Sequence, residues 1–204
     1  MTVTAVLPRR KSLCALYIDG EYALNLDKSV LAENCVREGM CLTDEKLHSL
    51  IIQSDEKRAK ERALYLLSYR SHTKKELYTK LQRDFSEDLS LSVCERMEEL
   101  GLLDDEAFAK RYANDLLTVK RLSKHAALYK MLEKGLDREL CEFCLEEANI
   151  DPCEQIAQII EKKYAKTLGT ENGVKKTVAA LLRKGYSYSD VRCVISQFCE
   201  DWTD

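Results

Sequence analysis

The sequence predicts a mainly α fold: a tandem array of three three-helix, helix-turn-helix-like repeats forming an elongated curved molecule, with a small N-terminal β-hairpin-containing head. Three observations carry this. A block recurs at about fifty residues: Leu77-x-x-x-Leu81-x-x-Asp84-Phe85, Leu128-x-x-x-Leu132-x-x-Gly135-Leu136 and Val178-x-x-x-Leu182-x-x-Gly185-Tyr186, at offsets of 51 and 50 with no gap inside it. The register continues through Val93, Cys144 and Val194, then Cys94, Leu145 and Ile195, then Met97, Ala148 and Phe198. Equivalent apolar positions at a fixed period mean stacked copies of one unit, and such arrays present extended binding surfaces. The 204 residues hold only two prolines and seven glycines, which favours helix. Finally, Asp19-Gly20 separates two β-prone runs near the N-terminus, a strong hairpin signal.

The head spans residues 1–55. Leu13 to Ile18 and Tyr22 to Leu26 flank the Asp-Gly turn, and Val3 to Leu7 is a candidate third strand. Ser29 to Arg37 reads as a short helix stopped near Gly39. Thr43 caps another, with Leu47, Leu50 and Ile51 as its apolar face. The first repeat, 56–103, opens with a helix from Glu56 to Arg70 that carries Ala59, Ala63, Leu66 and Leu67 at helical spacing. Thr73-x-x-Glu76 is a capping box for its second helix. Ser86, Asp137 and Ser187 mark the start of the third helix in each copy, and Gly135 and Gly185 precede two of them where a left-handed residue ends a helix. Asp104 caps the first helix of the second repeat, 104–151. Asp151-Pro152 does so for the third, 152–204, with proline at the first helical position.

Composition narrows the function classes. Charged residues make up 33% and apolar residues 45%, which excludes wholesale disorder, and the net charge of −3 excludes bulk attraction to nucleic acid. No apolar run approaches the ~20 residues of a membrane span, and no signal-peptide core follows Met1. An odd count of nine cysteines then reads as reduced thiols in the cytoplasm. Cys141-x-x-Cys144 has redox or zinc-knuckle spacing, but no second pair or nearby histidine completes four ligands. The repeat alignment places Cys144 with Val93 and Val194, and Cys141 with Ser90 and Val191, so both are expected in a core as small hydrophobes.

Catalytic and metal chemistry are not expected. Asp104-Asp105-Glu106 is explained by a cap followed by two carboxylates at the positive end of a helix. His48, His72 and His125 are isolated, and no P-loop, Gly-rich fingerprint, HExxH or nucleophile elbow occurs. A helix-turn-helix would insert its last helix into DNA, yet the third helices are acidic: Arg96 stands against Glu87, Asp88, Glu95, Glu98 and Glu99. The second helices are the basic ones. They carry Lys74, Lys75, Lys80 and Arg83; then Lys124, Lys130 and Lys134; then Lys175, Lys176, Arg183 and Lys184. Arg70, and Lys120 with Arg121, extend this charge at the handover from first to second helix. Two readings stay open: an ordinary solvated face, or a basic stripe with an acidic stripe elsewhere, suited to a long, charged, periodic partner.

Arg70-x-His72-Thr73-x-x-Glu76-Leu77-x-x-Lys80-Leu81, followed by Gly101-Leu102-Leu103-Asp104-Asp105-Glu106-Ala107-Phe108-Ala109, resembles the signature of the RecX family, regulators of the RecA recombinase. The head around Asp19-Gly20-Glu21-Tyr22 is similar to the N-terminal extension of Gram-positive members. The resemblance is specific over about 62 to 112 and weaker in the third repeat. Two departures are a missing glycine within Thr118-Val119-Lys120-Arg121-Leu122 and the mildly acidic overall charge.

The resemblance implies a cytoplasmic, monomeric, non-enzymatic protein of DNA repair, homologous recombination and the SOS response, without a cofactor of its own. It would bind the RecA–single-strand DNA filament in its groove, block extension or promote disassembly, and so restrain ATP hydrolysis, strand exchange and co-protease activity. The residues expected at that contact are Arg70, His72, Lys74, Lys75, Lys80, Lys120, Arg121, Lys124, Lys130, Lys175 and Lys176. Two alternatives remain, an autonomous binder of single- or double-stranded nucleic acid and a helical scaffold for an unrelated protein.

Overall fold

The computed structural model describes residues 1–198. The remaining residues of the third repeat, 199–204, lie outside the described residues. Two compact units divide the chain, one of Met1–Leu103 and one beginning at Asp104.

The first unit opens with a three-stranded antiparallel meander, β1 (Val3–Pro8), β2 (Leu13–Ile18) and β3 (Glu21–Asp27), in the order β1-β2-β3. Asp19 and Gly20 both take positive φ, 50° and 90°, which is what a type I′ turn requires. Helix α1 (Lys28–Glu33) is shorter than the sequence suggests, because Cys35 adopts a left-handed φ of 53° well before Gly39. Asp27 anchors this corner. Its carboxylate accepts from the backbone N–H of Ser29 at 2.9 Å, and its own N–H donates to Ser54 Oγ at 2.9 Å.

Ser54 belongs to α2 (Asp44–Tyr69), and here the structure corrects the sequence reading. The two helices expected on either side of residue 55 are one helix of 26 residues. Nothing between Asp44 and Tyr69 is a glycine or proline, so nothing breaks it. What changes near residue 55 is the partner. Leu50, with Leu47 and Ile51, packs into the core of Val3, Leu16, Leu26 and Val30. Ala59, Ala63 and Leu66 pack with α3 (Lys74–Leu81) and α4 (Glu87–Glu99), against Leu77, Leu81, Val93 and Cys94.

The second unit holds two further three-helix sets. One comprises α5 (Asp105–Asn114), α6 (Lys124–Glu133) and α7 (Arg138–Glu147); the other comprises α8 (Pro152–Lys163), α9 (Glu171–Arg183) and α10 (Tyr188–Phe198). Asp104 accepts from Ala107 N at 2.8 Å, and Asp151 from the N–H groups of Cys153 and Glu154, each at 3.2 Å, so both act as the caps expected. Asp137 and Ser187 also cap through their side chains. Ser86 occupies the corresponding place without a side-chain cap bond. After α5 the chain continues as a π-helical turn, Asp115–Val119, which buries the consecutive Leu116 and Leu117.

Burial also corrects the repeat register. In the second helices the equivalent buried positions are Leu77, Ala127 and Thr177, then Leu81, Met131 and Leu181, all 0% exposed. The offset there is 50 throughout. Leu128, Leu132 and Val178 only flank their cores, and Leu182 is exposed. The first repeat is one residue shorter between second and third helix, at the place where Gly135 and Gly185 turn with φ of 81° and 87°. Beyond that turn, Val93, Cys144 and Val194 are buried in the alignment the sequence gives.

Two cores, one per helix set, fill this unit, and a polar seam joins the sets. Gln155 on α8 is buried; its Nε2 donates to the carbonyl of Leu117, and its Oε1 accepts from Tyr186 Oη at 2.6 Å. Tyr186 Oη also reaches the Arg121 carbonyl, at 3.2 Å, and Ser123 N donates to Lys184 O at 3.0 Å. Gly185 is pressed against α6: a Cβ there would stand 2.6 Å from both Ala126 Cβ and Ser123 Oγ. Only glycine combines that approach with its positive φ.

Candidate functional site

The basic second helices owe their placement to local rules. Thr73 and Ser123 are N-caps, each accepting from the N–H three residues on, at 3.2 Å and 3.1 Å. Each cap fixes where the lysine that follows it points. Lys74 Nζ then reaches Glu98 on α4 at 2.7 Å, and Lys124 Nζ reaches Glu146 on α7 at 3.1 Å. The Glu98 hydrogen bond pushes the Lys74 ammonium above its ordinary range. Basic second helix and acidic third helix are therefore cross-linked neighbours in the first two sets.

The other expected contact residues differ in their surroundings. Arg70 caps the C-terminus of α2 and pairs with Glu76 at 2.9 Å, and Lys175 pairs with Glu171 at 2.6 Å. His72 is 4% exposed, and its Nδ1 donates to the Arg70 carbonyl at 2.9 Å. Burial pushes the imidazole below its usual range, so the ring is a neutral strut under the α2–α3 corner. Arg121, half-buried, takes a left-handed φ of 51° and lends its carbonyl to the seam. Lys120 lies 5.6 Å from the Tyr112 ring centroid. Lys75, Lys80, Lys130 and Lys176 have no carboxylate within ion-pairing distance among the described residues.

The corrected register makes Lys74 equivalent to Lys124, and Lys80 to Lys130. The third set has Val174 and Ala180 at those two places. Lys184, outside the expected contact set, joins Lys120 and Arg121: its ammonium donates to both their carbonyls. Burial, then the like charges of Lys163 and Arg121, hold its pKa down.

Cys141 is fully buried and Cys144 nearly so, and burial pushes the Cys141 thiol up to about 11. Among the described residues no group of three or more His, Cys, Asp or Glu is placed to hold a metal ion. No helix of the described residues is long and apolar enough to cross a membrane.

Sequence reasoning passed over a second feature of the first unit. A cleft of about 650 Å³ opens between the β1–β2 loop, α2 and the turn after α3, lined by Lys11, Arg58, Arg62, Tyr65 and Phe85 along with Glu61 and Asp84. The signal was present in the helical spacing of Arg58, Arg62, Tyr65 and Tyr69.

Residues 59–97, the span from mid-α2 through α4, match the family model described as RecX, first three-helix domain. The chain is similar to a regulatory protein RecX of Caldanaerobacter subterraneus subsp. tengcongensis, 27% identical over 94% of this chain and 96% of the relative. It is 34% identical to a regulatory protein RecX of Mycolicibacterium smegmatis, over 69% of this chain and 79% of the relative. Among solved structures, the crystal structure of a regulatory protein RecX superposes with a TM-score of 0.64 at 20% identity, over 95% of this chain and 98% of that one. That of RecX from Lactobacillus salivarius gives 0.61 at 25% identity, over 71% and 96%.

Proposed function

Since this chain belongs to the RecX family, we propose that it binds the RecA–single-strand DNA filament and restrains it, by occupying the filament groove and so blocking extension or promoting disassembly. ATP hydrolysis, strand exchange and co-protease activity would all fall as a consequence. The single observation that carries the reading is the extent of the family match, which runs through the head and all three helix sets in the Caldanaerobacter relative. The physical features are compatible with it. A filament repeats the same surface at every protomer, and lysines recurring at equivalent places in the first two helix sets can meet acidic protein surface or DNA phosphate there repeatedly. Within the expected contact set, the unpaired Lys75, Lys80, Lys130 and Lys176 are the cations free to make such contacts. Lys74 and Lys124 would first have to leave their carboxylates, and buried His72 supports the corner.

The test is titration of the protein into RecA ATPase on single-stranded DNA, with pull-down of RecA as control. Falling ATPase with co-purifying RecA supports the proposal. No effect on ATPase together with no RecA retained would reject it and leave a scaffold for another partner.

A further inference from the structure

The cleft of the first unit carries an inference of its own, independent of RecA. Arg58, Arg62, Tyr65 and Tyr69 follow one another along α2 at spacings of four, three and four residues. That spacing keeps them on one helix face, and at 1.5 Å per residue the row is roughly 16 Å long. Cation and ring are already paired within it. The Arg62 guanidinium lies 5.7 Å from the Tyr65 ring centroid, and that of Arg58 lies 5.6 Å from Phe85. Yet the tyrosines are open to solvent, Tyr65 by 64% and Tyr69 by 85%. Rings this exposed on a folded helix contribute nothing to its core.

The loop Arg9-Arg10-Lys11 joins β1 to β2 beside this row, and Lys11 lines the cleft itself. Its three cations are exposed, and Lys11 holds a left-handed φ of 60°. Arg58 has a carboxylate partner, Asp55 at 3.0 Å. Among the described residues neither Arg62 nor any of the three loop cations has one. Glu61 and Asp84 moderate the charge of the cleft, which therefore does not act as a simple anion sink.

We propose that this cleft and the row beyond it bind a single-stranded nucleic acid, with its phosphates at Arg62 and the Arg9–Lys11 loop and its bases stacked on Tyr65 and Tyr69. The combination selects the ligand. Cations followed by open aromatic rings along one helix face, beside a cationic loop, match a polymer that offers anion and planar ring together, and base–aromatic stacking tolerates any sequence. A duplex hides its base faces, and an acidic peptide offers charge without regular rings. The head thereby gains a function: it supplies the cationic wall facing the tyrosine row.

The test uses the full chain without RecA and measures fluorescence anisotropy of a labelled oligothymidylate at low salt. Binding is expected, with duplex of the same length and an abasic oligonucleotide binding more weakly. Tyr65→Ala should weaken oligothymidylate binding on the order of tenfold. Tyr65→Phe should retain binding, and the abasic oligonucleotide should not sense the tyrosine. Arg62→Ala should weaken both ligands and flatten the salt dependence. Lys162→Ala, in the other unit, controls for general charge. The exposed positions allow these variants to keep wild-type circular dichroism and melting. The proposal is overturned if wild type binds no oligonucleotide at low salt, or if Arg62→Ala and Tyr65→Ala bind like wild type. It also fails if Lys162→Ala loses as much, or if polyglutamate displaces the oligonucleotide as well as unlabelled oligonucleotide does. Because RecA is absent, a negative result here leaves the filament proposal standing, and the reverse.

Discussion

Cys141 and Ser90 occupy the same place in their helix sets, and both are fully buried. Ser90 solves the problem of a hydroxyl in a core by donating to the Ser86 carbonyl one turn back, at 2.8 Å. Cys141→Ser can use the same device through the Asp137 carbonyl, so its cost is expected to stay below about 1 kcal/mol. Cys144 stands where the other sets have valine, and Cys144→Ser should cost more, on the order of 1–3 kcal/mol. Urea unfolding of the two variants checks the order, and equal costs would undo the equivalence drawn between the helix sets. Titration gives a second readout. Burial pushes the thiols of Cys94 and Cys141 from 9.0 up to about 11. Between those values the unfolded chain releases protons that the folded one keeps. Folding stability contributed by these thiols is therefore complete below pH 9 and falls as pH rises toward 11. Replacing both by alanine should flatten that fall in a melting series from pH 8 to about 10.5.

At the scale of elements, local chemistry was legible and long-range chemistry was not. Helix starts could be read because a cap acts within three residues: Thr43, Thr73, Asp104 and Asp151 all accept the expected N–H. The hairpin was legible for the same reason. The register of the second helices was misread because α6 has adjacent apolar pairs, Ala127-Leu128 and Met131-Leu132, which fit a core at either phase. Only packing chooses between them, and it buries Ala127 and Met131 completely. Likewise the break expected between two helices near residue 55 falls inside α2, where that helix passes from one core to the next. The seam between the last two helix sets was invisible, since Gln155 and Tyr186 stand 31 residues apart. Its energetics are testable. Tyr186→Phe strands the Gln155 amide oxygen in a buried site and should cost about 1–3 kcal/mol. Gly185→Ala combines a positive φ with the 2.6 Å approach to α6 and should cost at least as much. Denaturant melts are the measurement; a neutral Gly185→Ala would mean that the two helix sets do not press together there.

For the molecule as a whole, the question is how a chain of net charge −3 addresses an acidic polymer. The total charge argues against non-specific attraction, so any contact must come from cations left uncompensated locally. The ion pairs make that selection. Lys74 and Lys124 neutralise third-helix carboxylates within their own sets, whereas Lys80 and Lys130, one position shared by two sets, carry unpaired charge. Reversal of Lys74 would replace its 2.7 Å ion pair with Glu98 by a like charge and confuse binding with stability. Lys80→Glu with Lys130→Glu is the cleaner probe. It should weaken the effect on RecA ATPase and make what remains less dependent on salt, with melting unchanged, because charge complementarity acts mainly on encounter and orientation. Reversal of Glu95 and Glu99 should matter less, since it removes repulsion from an acidic partner instead of attraction. If those acidic reversals abolish the RecA effect and the paired lysine reversal leaves it intact, the second helices are an ordinary solvated face and the contact belongs to the third helices.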